Sequence, residues 1–465
     1  MNIGNAQGWT AREAVSAMAC GDISATEYAA VLLDQVEARS ELNAFVTLDR
    51  EHVLSEAGRA DVSGPLAGLP IAFKDAIGTS QLPTTAATPA MQSHRPEKDA
   101  EVVASLRTAG AYVFGKLNMH ELSYGITSNN AAIGAVRNPY DLAHVPGRSS
   151  GGAGAAVAAS LVPAAIGTDT GGSVRIPAAL CGAVGFRPTT GRYSQSGIIP
   201  VSHTRDTAGP LARTVDDVAM IDAAVTGVAD ELETLSAANI RLGLPNNHYL
   251  EALHPDTRSV FEARLEGLRK AGFEIIPVDV AEVKPPMESC GFPIAIWETK
   301  SDLIAYLEEH FGSQLTLSDL ISKVASPDVR ETLSGLLAPE FAEMETAYSD
   351  AINTRRPALQ RSFEDCFASH QIDALIFPTT VLPAARIGED ATVMLNGEEV
   401  PTFPTFIHNT DPGSIAGLPG ISLPAGVTAD GLPIGIELDG PAGRDRHILA
   451  VAQTVERHLP PIPRP

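Results

Sequence analysis

Residues 167–178 read Gly-Thr-Asp-Thr-Gly-Gly-Ser-Val-Arg-Ile-Pro-Ala, so Ser173 directly follows Gly171 and Gly172. Glycines allow positive φ and close approach of backbone to a ligand. A turn with inward-pointing N–H groups supplies the donors that a tetrahedral acyl intermediate needs, and a serine at its edge is placed to attack a carbonyl. Taken alone, Gly-Gly-Ser is more often simply a flexible turn. The serine needs a base, yet none of the 12 histidines stands in a comparable glycine-rich setting. The Gly-x-Ser-x-Gly elbow is not met either, because Val174 and Arg175 follow Ser173. Lysine serves as a base when it is neutral. Bringing its pKa from about 10.4 to near 7 takes roughly 4 kcal/mol of differential stabilisation, which burial can provide. Lys74 closes the apolar run Gly68, Leu69, Pro70, Ile71, Ala72 and Phe73, although a lysine in such a place also commonly snorkels outward. A second cluster, Gly147-Arg148-Ser149-Ser150-Gly151-Gly152, puts Ser149 24 residues before Ser173. A hydroxyl both donates and accepts, so Ser149 is suited to relay a proton between lysine and nucleophile.

The pattern of elements places these residues. Thr10-Ala11-Arg12-Glu13 and Ser24-Ala25-Thr26-Glu27 match capping boxes, so the first 65 or so residues read as two or three surface helices. From residue 66 short apolar strands alternate with helices, such as 99–109 and 213–226, which argues for an α/β sheet with helices on its faces. The small-residue run Ala153 to Ala159 suits a helix packed closely against that sheet, with an N-cap serine before it. Strand, helix and strand recur at 240–244, 255–271 and 273–278. Residues 290–370 read as a helical excursion over the core, strands return at 373–377, 420–424 and 433–438, and a last helix spans 443–457. Residues 458–465, rich in proline, read as a loose tail, and residues 1–465 as a single domain.

The bulk numbers exclude several classes. The net charge of −23 repels phosphates and argues against nucleic-acid binding. Cys20, Cys181, Cys290 and Cys366 are scattered without metal-like spacing, as in a reducing compartment. Charged Arg12, Glu13 and Asp22 break any leader-like apolar stretch, and the longest apolar run, near 153–167, is too short to span a bilayer. A cytoplasmic protein is expected, with a homodimer left open. Gly110 to Leu117 nearly matches a phosphate-binding loop, but Leu117 replaces the required Ser/Thr and the helix–strand order is reversed. No cofactor or metal is implied.

Together, Lys74, Ser149 and Ser173 with their spacing resemble the amidase signature family. The resemblance runs from about residue 10 to 457 and is densest over 66–215. It implies an α/β fold built on a large mixed twisted β-sheet covered by helices on both faces. It also implies a Ser–cis-Ser–Lys triad with Lys74 as base, Ser149 as the cis-serine and Ser173 as nucleophile. Thr170, Gly171, Gly172 and Ser173 match the oxyanion-hole positions, and Asp169 and Arg175 match positions that brace the site. The family usually has glycine where this chain has Arg148, which would narrow the pocket, contact substrate or point outward. The segments His120 to Gly125, Ser128 to Asn130 and Ser202 to Pro210 look like the arylacetamide branch, which includes indoleacetamide and mandelamide hydrolases. Met119, Tyr124 and Arg148, with late loops near 407–418, are the expected pocket wall, while His120 and His203 are expected to make structural hydrogen bonds. The implied activity is hydrolysis of small, aryl or apolar carboxamides through an acyl-enzyme. The alternatives are an aryl-acylamide, ester or carbamate hydrolase, and the A subunit of a tRNA-dependent amidotransferase.

Overall fold

A computed structural model describes residues 3–246, 248–280, 283 and 287–465. Eleven strands form one sheet among the described residues: Phe45–Thr47 (β1), Pro70–Lys74 (β2), Tyr112–Leu117 (β3), Ala164–Asp169 (β4), Val184–Arg187 (β5), Thr207–Ala212 (β6), Arg241–Pro245 (β7), Glu274–Val278 (β8), Ala374–Pro378 (β9), Gly420–Val427 (β10) and Pro433–Asp439 (β11). Their spatial order is β1-β3-β2-β4-β6-β5-β10-β11-β9-β7-β8. Pairing is parallel for β3/β2/β4 and for β9/β7/β8, and antiparallel across the middle and at β1. The sheet is therefore mixed, as expected. β2, β3, β4 and β6 are buried at every position, which is why apolar residues run along them without alternation, broken only by Lys74, Lys116, Thr168, Asp169 and Thr207.

Both predicted capping boxes form, Thr10 with Glu13 and Ser24 with Glu27. They start helices Ala11–Ala19 and Ala25–Ala38, and a third helix spans Arg50–Ala57. These helices are less superficial than the sequence reading had them, because Ala11, Ala14, Tyr28, Ala29 and Leu32 are fully buried in the core. Residues 292–370 are largely helical, and Leu303, Leu307, Leu320 and Leu333 join Met91, Met119 and Ile199 in a second apolar cluster. Residues 458–465 have no regular structure, yet Tyr140 donates to the Pro463 carbonyl at 2.7 Å.

The helix Gly151–Ala158 is buried throughout. A Cβ on Gly152 would stand 2.4 Å from the Asn118 carbonyl oxygen, and one on Gly154 would stand 2.8 Å from that of Pro177. Only hydrogen at those two positions lets the helix lie this close to its neighbours, which explains the small-residue run. The expected N-cap bond is absent. Ser150 makes no side-chain cap; its Oγ instead bridges the N–H and C=O of Thr168, both at 3.3 Å. That bridge ties the start of the helix to the end of β4.

Candidate active site

Lys74 is the last residue of β2, and β4 lies beside it in parallel register with Phe73 opposite Ile166. This register carries Thr168 up to the lysine, whose Nζ lies 2.6 Å from Thr168 Oγ1 and 2.6 Å from Ser149 Oγ. Lys74 is fully buried. Burial pushes its pKa down from 10.5 to about 7, helped by the charge of Arg148 and opposed by Asp206 and Asp169. A neutral amine keeps two N–H donors and one lone pair. Donation to Thr168 leaves the lone pair free for the Ser149 hydroxyl. Thr168 was not identified from sequence, since a threonine inside a strand carries no local signal.

β4 ends at Asp169, and the chain turns through Thr170 to Ser173 before the helix Arg175–Cys181. Asp169 is fully buried and shapes this turn. One carboxylate oxygen accepts from the Gly172 N–H (2.8 Å), the other from the Val174 N–H (3.1 Å). Arg175 and Arg187 clamp the same carboxylate at 3.0–3.1 Å. Burial alone would raise its pKa, but the two guanidinium charges overwhelm that and hold it well below the usual carboxylate range. Arg175 itself continues to Glu437, to Ser414 Oγ (2.6 Å) and to the Thr410 carbonyl (3.1 Å). Gly172 has φ +128°, and a Cβ there would stand 2.3 Å from Thr410 Oγ1, so the turn requires glycine. Of the four expected oxyanion donors, the Gly172 N–H is already committed to Asp169. The N–H groups of Thr170, Gly171 and Ser173 form no hydrogen bond among the described residues. Thr170 Oγ1 is tethered to Asp206 at 2.5 Å.

Ser173 opens onto a cavity of about 410 Å³. Its wall includes Ile126, Val201, Phe292, Ile296, Phe403 and Ile407, with Arg148, Arg205, Asp328, Asp390 and Asp411 as charged members. Cavities that bind small molecules are mostly apolar with a few placed polar groups. Tyr124 and Arg148 line it, and so do Ile407 and Asp411 of the late segment. Met119 does not: it is fully buried in the apolar cluster beneath, and its backbone is held by Asn118 and Asn130. Phe292, Phe403 and Asp328 were missed, because they come from segments far along the chain. Ser149 and Ser173 share the site without a hydrogen bond between their hydroxyls, so a relay requires a rotation of one of them; such contacts often close only with substrate bound.

His120 accepts the Ser128 N–H on Nδ1 (3.1 Å), which leaves Nε2–H to donate to Asp328 at 3.1 Å. His203 is exposed and pairs with Asp302 at 3.0 Å. Both thus hold the kind of hydrogen bonds expected of them. Lys116, the lysine of the apparent phosphate loop, is buried within β3 and bonded to Thr84 Oγ1 (2.6 Å) and the Ile77 carbonyl (2.8 Å), so no phosphate cradle exists there. Among the described residues no helix is long and apolar enough to cross a membrane.

The chain is 41% identical over 443 residues to an indoleacetamide hydrolase of Agrobacterium vitis, covering 94% of each. It is 40% identical over 454 residues to a mandelamide hydrolase of Pseudomonas putida, covering 93% of this chain and 88% of that one. The solved crystal structure of an amidase superposes with a TM-score of 0.86 at 33% identity, over 97% of this chain and all of the other. The amidase family model matches residues 27–449. On this fold, with this site, the chain belongs to the amidase signature family and is an amidohydrolase acting on amides.

Proposed function

We propose that this chain hydrolyses the C–N bond of small aryl or other apolar carboxamides through an acyl-enzyme on Ser173. The observation that carries this reading is the buried 2.6 Å contact between Lys74 Nζ and Ser149 Oγ, next in sequence to Arg148 in the wall of an apolar cavity onto which Ser173 opens. Neutral Lys74 takes the proton of Ser149 while Ser149 takes that of Ser173, and Ser173 Oγ bonds to the amide carbon. The carbonyl π pair moves onto oxygen, facing the uncommitted N–H groups of the 170–173 turn. Collapse of the intermediate breaks the C–N bond as the relay returns a proton to nitrogen, releasing ammonia or an amine. Water then repeats the sequence on the acyl-enzyme and frees a carboxylic acid. The names of the two relatives, acting on an indole-bearing and a phenyl-bearing acetamide, support an aryl acyl group, and so do Phe292 and Phe403 in the wall. The deciding experiment is a panel of aryl, alkyl, ester and carbamate substrates with Ser173→Ala as blank. Turnover of arylacetamides that vanishes in that variant is expected; equal turnover by Ser173→Ala would overturn the reading.

A further inference from the structure

Arg148 stands where the family resemblance leads one to expect glycine, and it enters the cavity with most of its hydrogen-bonding capacity unspent. A guanidinium carries five N–H donors. Arg148 uses one, Nη1 to the Gly125 carbonyl at 2.8 Å, and its buried Nε has no acceptor. The group is held in place by the Phe403 ring, whose centroid lies 4.3 Å away, and the residue is only 5% exposed. Three charged groups surround Gly171: a Cβ built there would lie 3.1 Å from Asp411 Oδ1, 3.5 Å from Arg205 Nη2 and 3.6 Å from Arg148 Nη2. Arg205 and Asp411 form an ion pair with each other. Asp411, whose charge also acts on Arg148, is thus shared between two guanidinium groups, and Arg148 keeps open donors over the turn that leads into Ser173. A buried cation in that condition is costly unless a negative charge arrives beside it. The turn meanwhile lacks one donor, because the Gly172 N–H is bound to Asp169.

We infer that Arg148 is a catalytic residue of this enzyme, supplying charge and an N–H donor to the oxyanion that forms when Ser173 adds to the carbonyl. The inference rests on the Ser173 mechanism proposed above. Its signature is selective weakening of transition-state binding over ground-state binding.

The test compares an aryl trifluoromethyl ketone with the matching arylacetamide on wild type, Arg148→Met and Arg148→Gln, each checked for a folded thermal transition. Ser173 Oγ adds to the ketone carbon, the π pair becomes an oxyanion, and the serine proton passes to the Ser149–Lys74 pair, so the adduct mimics the intermediate. Expected in both variants is a loss of ketone affinity of about tenfold or more, the scale for a hydrogen bond to a charged group. A matching fall in the pH-independent kcat should accompany it, with the amide KM within about threefold of wild type. Ketone affinity that is unmoved in either folded variant, or that falls only in step with amide KM, overturns the inference. So does a loss that disappears once the pH profile is followed to its plateau, since Arg148 would then act only through Lys74. Failure of the underlying mechanism reads differently: Ser173→Ala would bind the ketone as tightly as wild type.

Discussion

Replacing Lys74 by methionine should abolish turnover and, at neutral pH, make the protein more stable. The lysine is fully buried, and its pKa falls from 10.5 to about 7, chiefly through burial. That displacement corresponds to about 5 kcal/mol. Between pH 7 and 10.5 the unfolded chain carries a proton on this side chain that the folded protein does not, so this group makes stability rise with pH across that window. The slope is about 1.4 kcal/mol per pH unit, and it vanishes below 7 and above 10.5. Methionine removes the slope and the cost of holding an amine in the core. Against this stands the loss of two contacts, to Ser149 Oγ and Thr168 Oγ1, at about 1–2 kcal/mol each. The net expectation is a gain of roughly 1–3 kcal/mol near pH 7 that turns into a loss by pH 10. Denaturant unfolding of both proteins at one-unit steps from pH 6 to 10 measures the difference. Parallel stability curves would show that Lys74 is not displaced in the fold. The wild-type kcat/KM for an uncharged arylacetamide should also fall tenfold per pH unit below a midpoint near 7, and a flat profile from pH 5 to 9 would refute the lysine base.

Thr168→Val removes one acceptor of the Lys74 ammonium, so the acid limb of kcat/KM should move to lower pH while kcat drops about tenfold; a pH profile checks both, and an unmoved limb counts against the contact. Gly125→Ala places a Cβ 2.0 Å from His120 Nε2 at φ +131°, with the ring pinned by Ser128 and Asp328. The variant should lose at least about 2–3 kcal/mol in denaturation experiments, and activity with it, because the Gly125 carbonyl also holds Arg148. Asp439 is buried beside Glu437, its only ion pair among the described residues is a long 3.9 Å contact with Arg175, and burial raises its pKa to about 6. The folded chain thus binds this proton more tightly than the unfolded one, and the stability it contributes is lost as pH rises from about 4 to 6. Asp439→Asn should erase that decline and melt higher than wild type at pH 8, a result that calorimetry can contradict directly.

The local chemistry was legible because it is written in short-range rules. Capping boxes fix helix starts by one reciprocal pair of hydrogen bonds, and Gly171-Gly172-Ser173 announces a turn that only glycine can make. The apolar run before Lys74 marked a strand with a lysine at its end, and whether that lysine is buried or snorkels outward was left to the fold. Ser150 shows where such rules stop. It sits where a helix cap belongs, yet its hydroxyl is captured by the β4 backbone, whose position depends on strand pairing.

Sequence by itself therefore determined the α/β architecture and picked out Lys74, Ser149 and Ser173 as the side chains whose chemistry suits acyl transfer. Tertiary structure decided the rest. Thr168 reaches Lys74 only because β2 and β4 run parallel in one register. The cavity wall draws Phe292, Phe403 and Asp411 from segments separated from Ser173 by more than a hundred residues. Folding also brings Arg148, Arg205 and Asp411 together around Gly171, in the turn that leads into Ser173. Burial, charge pairing and cavity shape are sums over neighbours brought together by folding, and no window of sequence contains those neighbours.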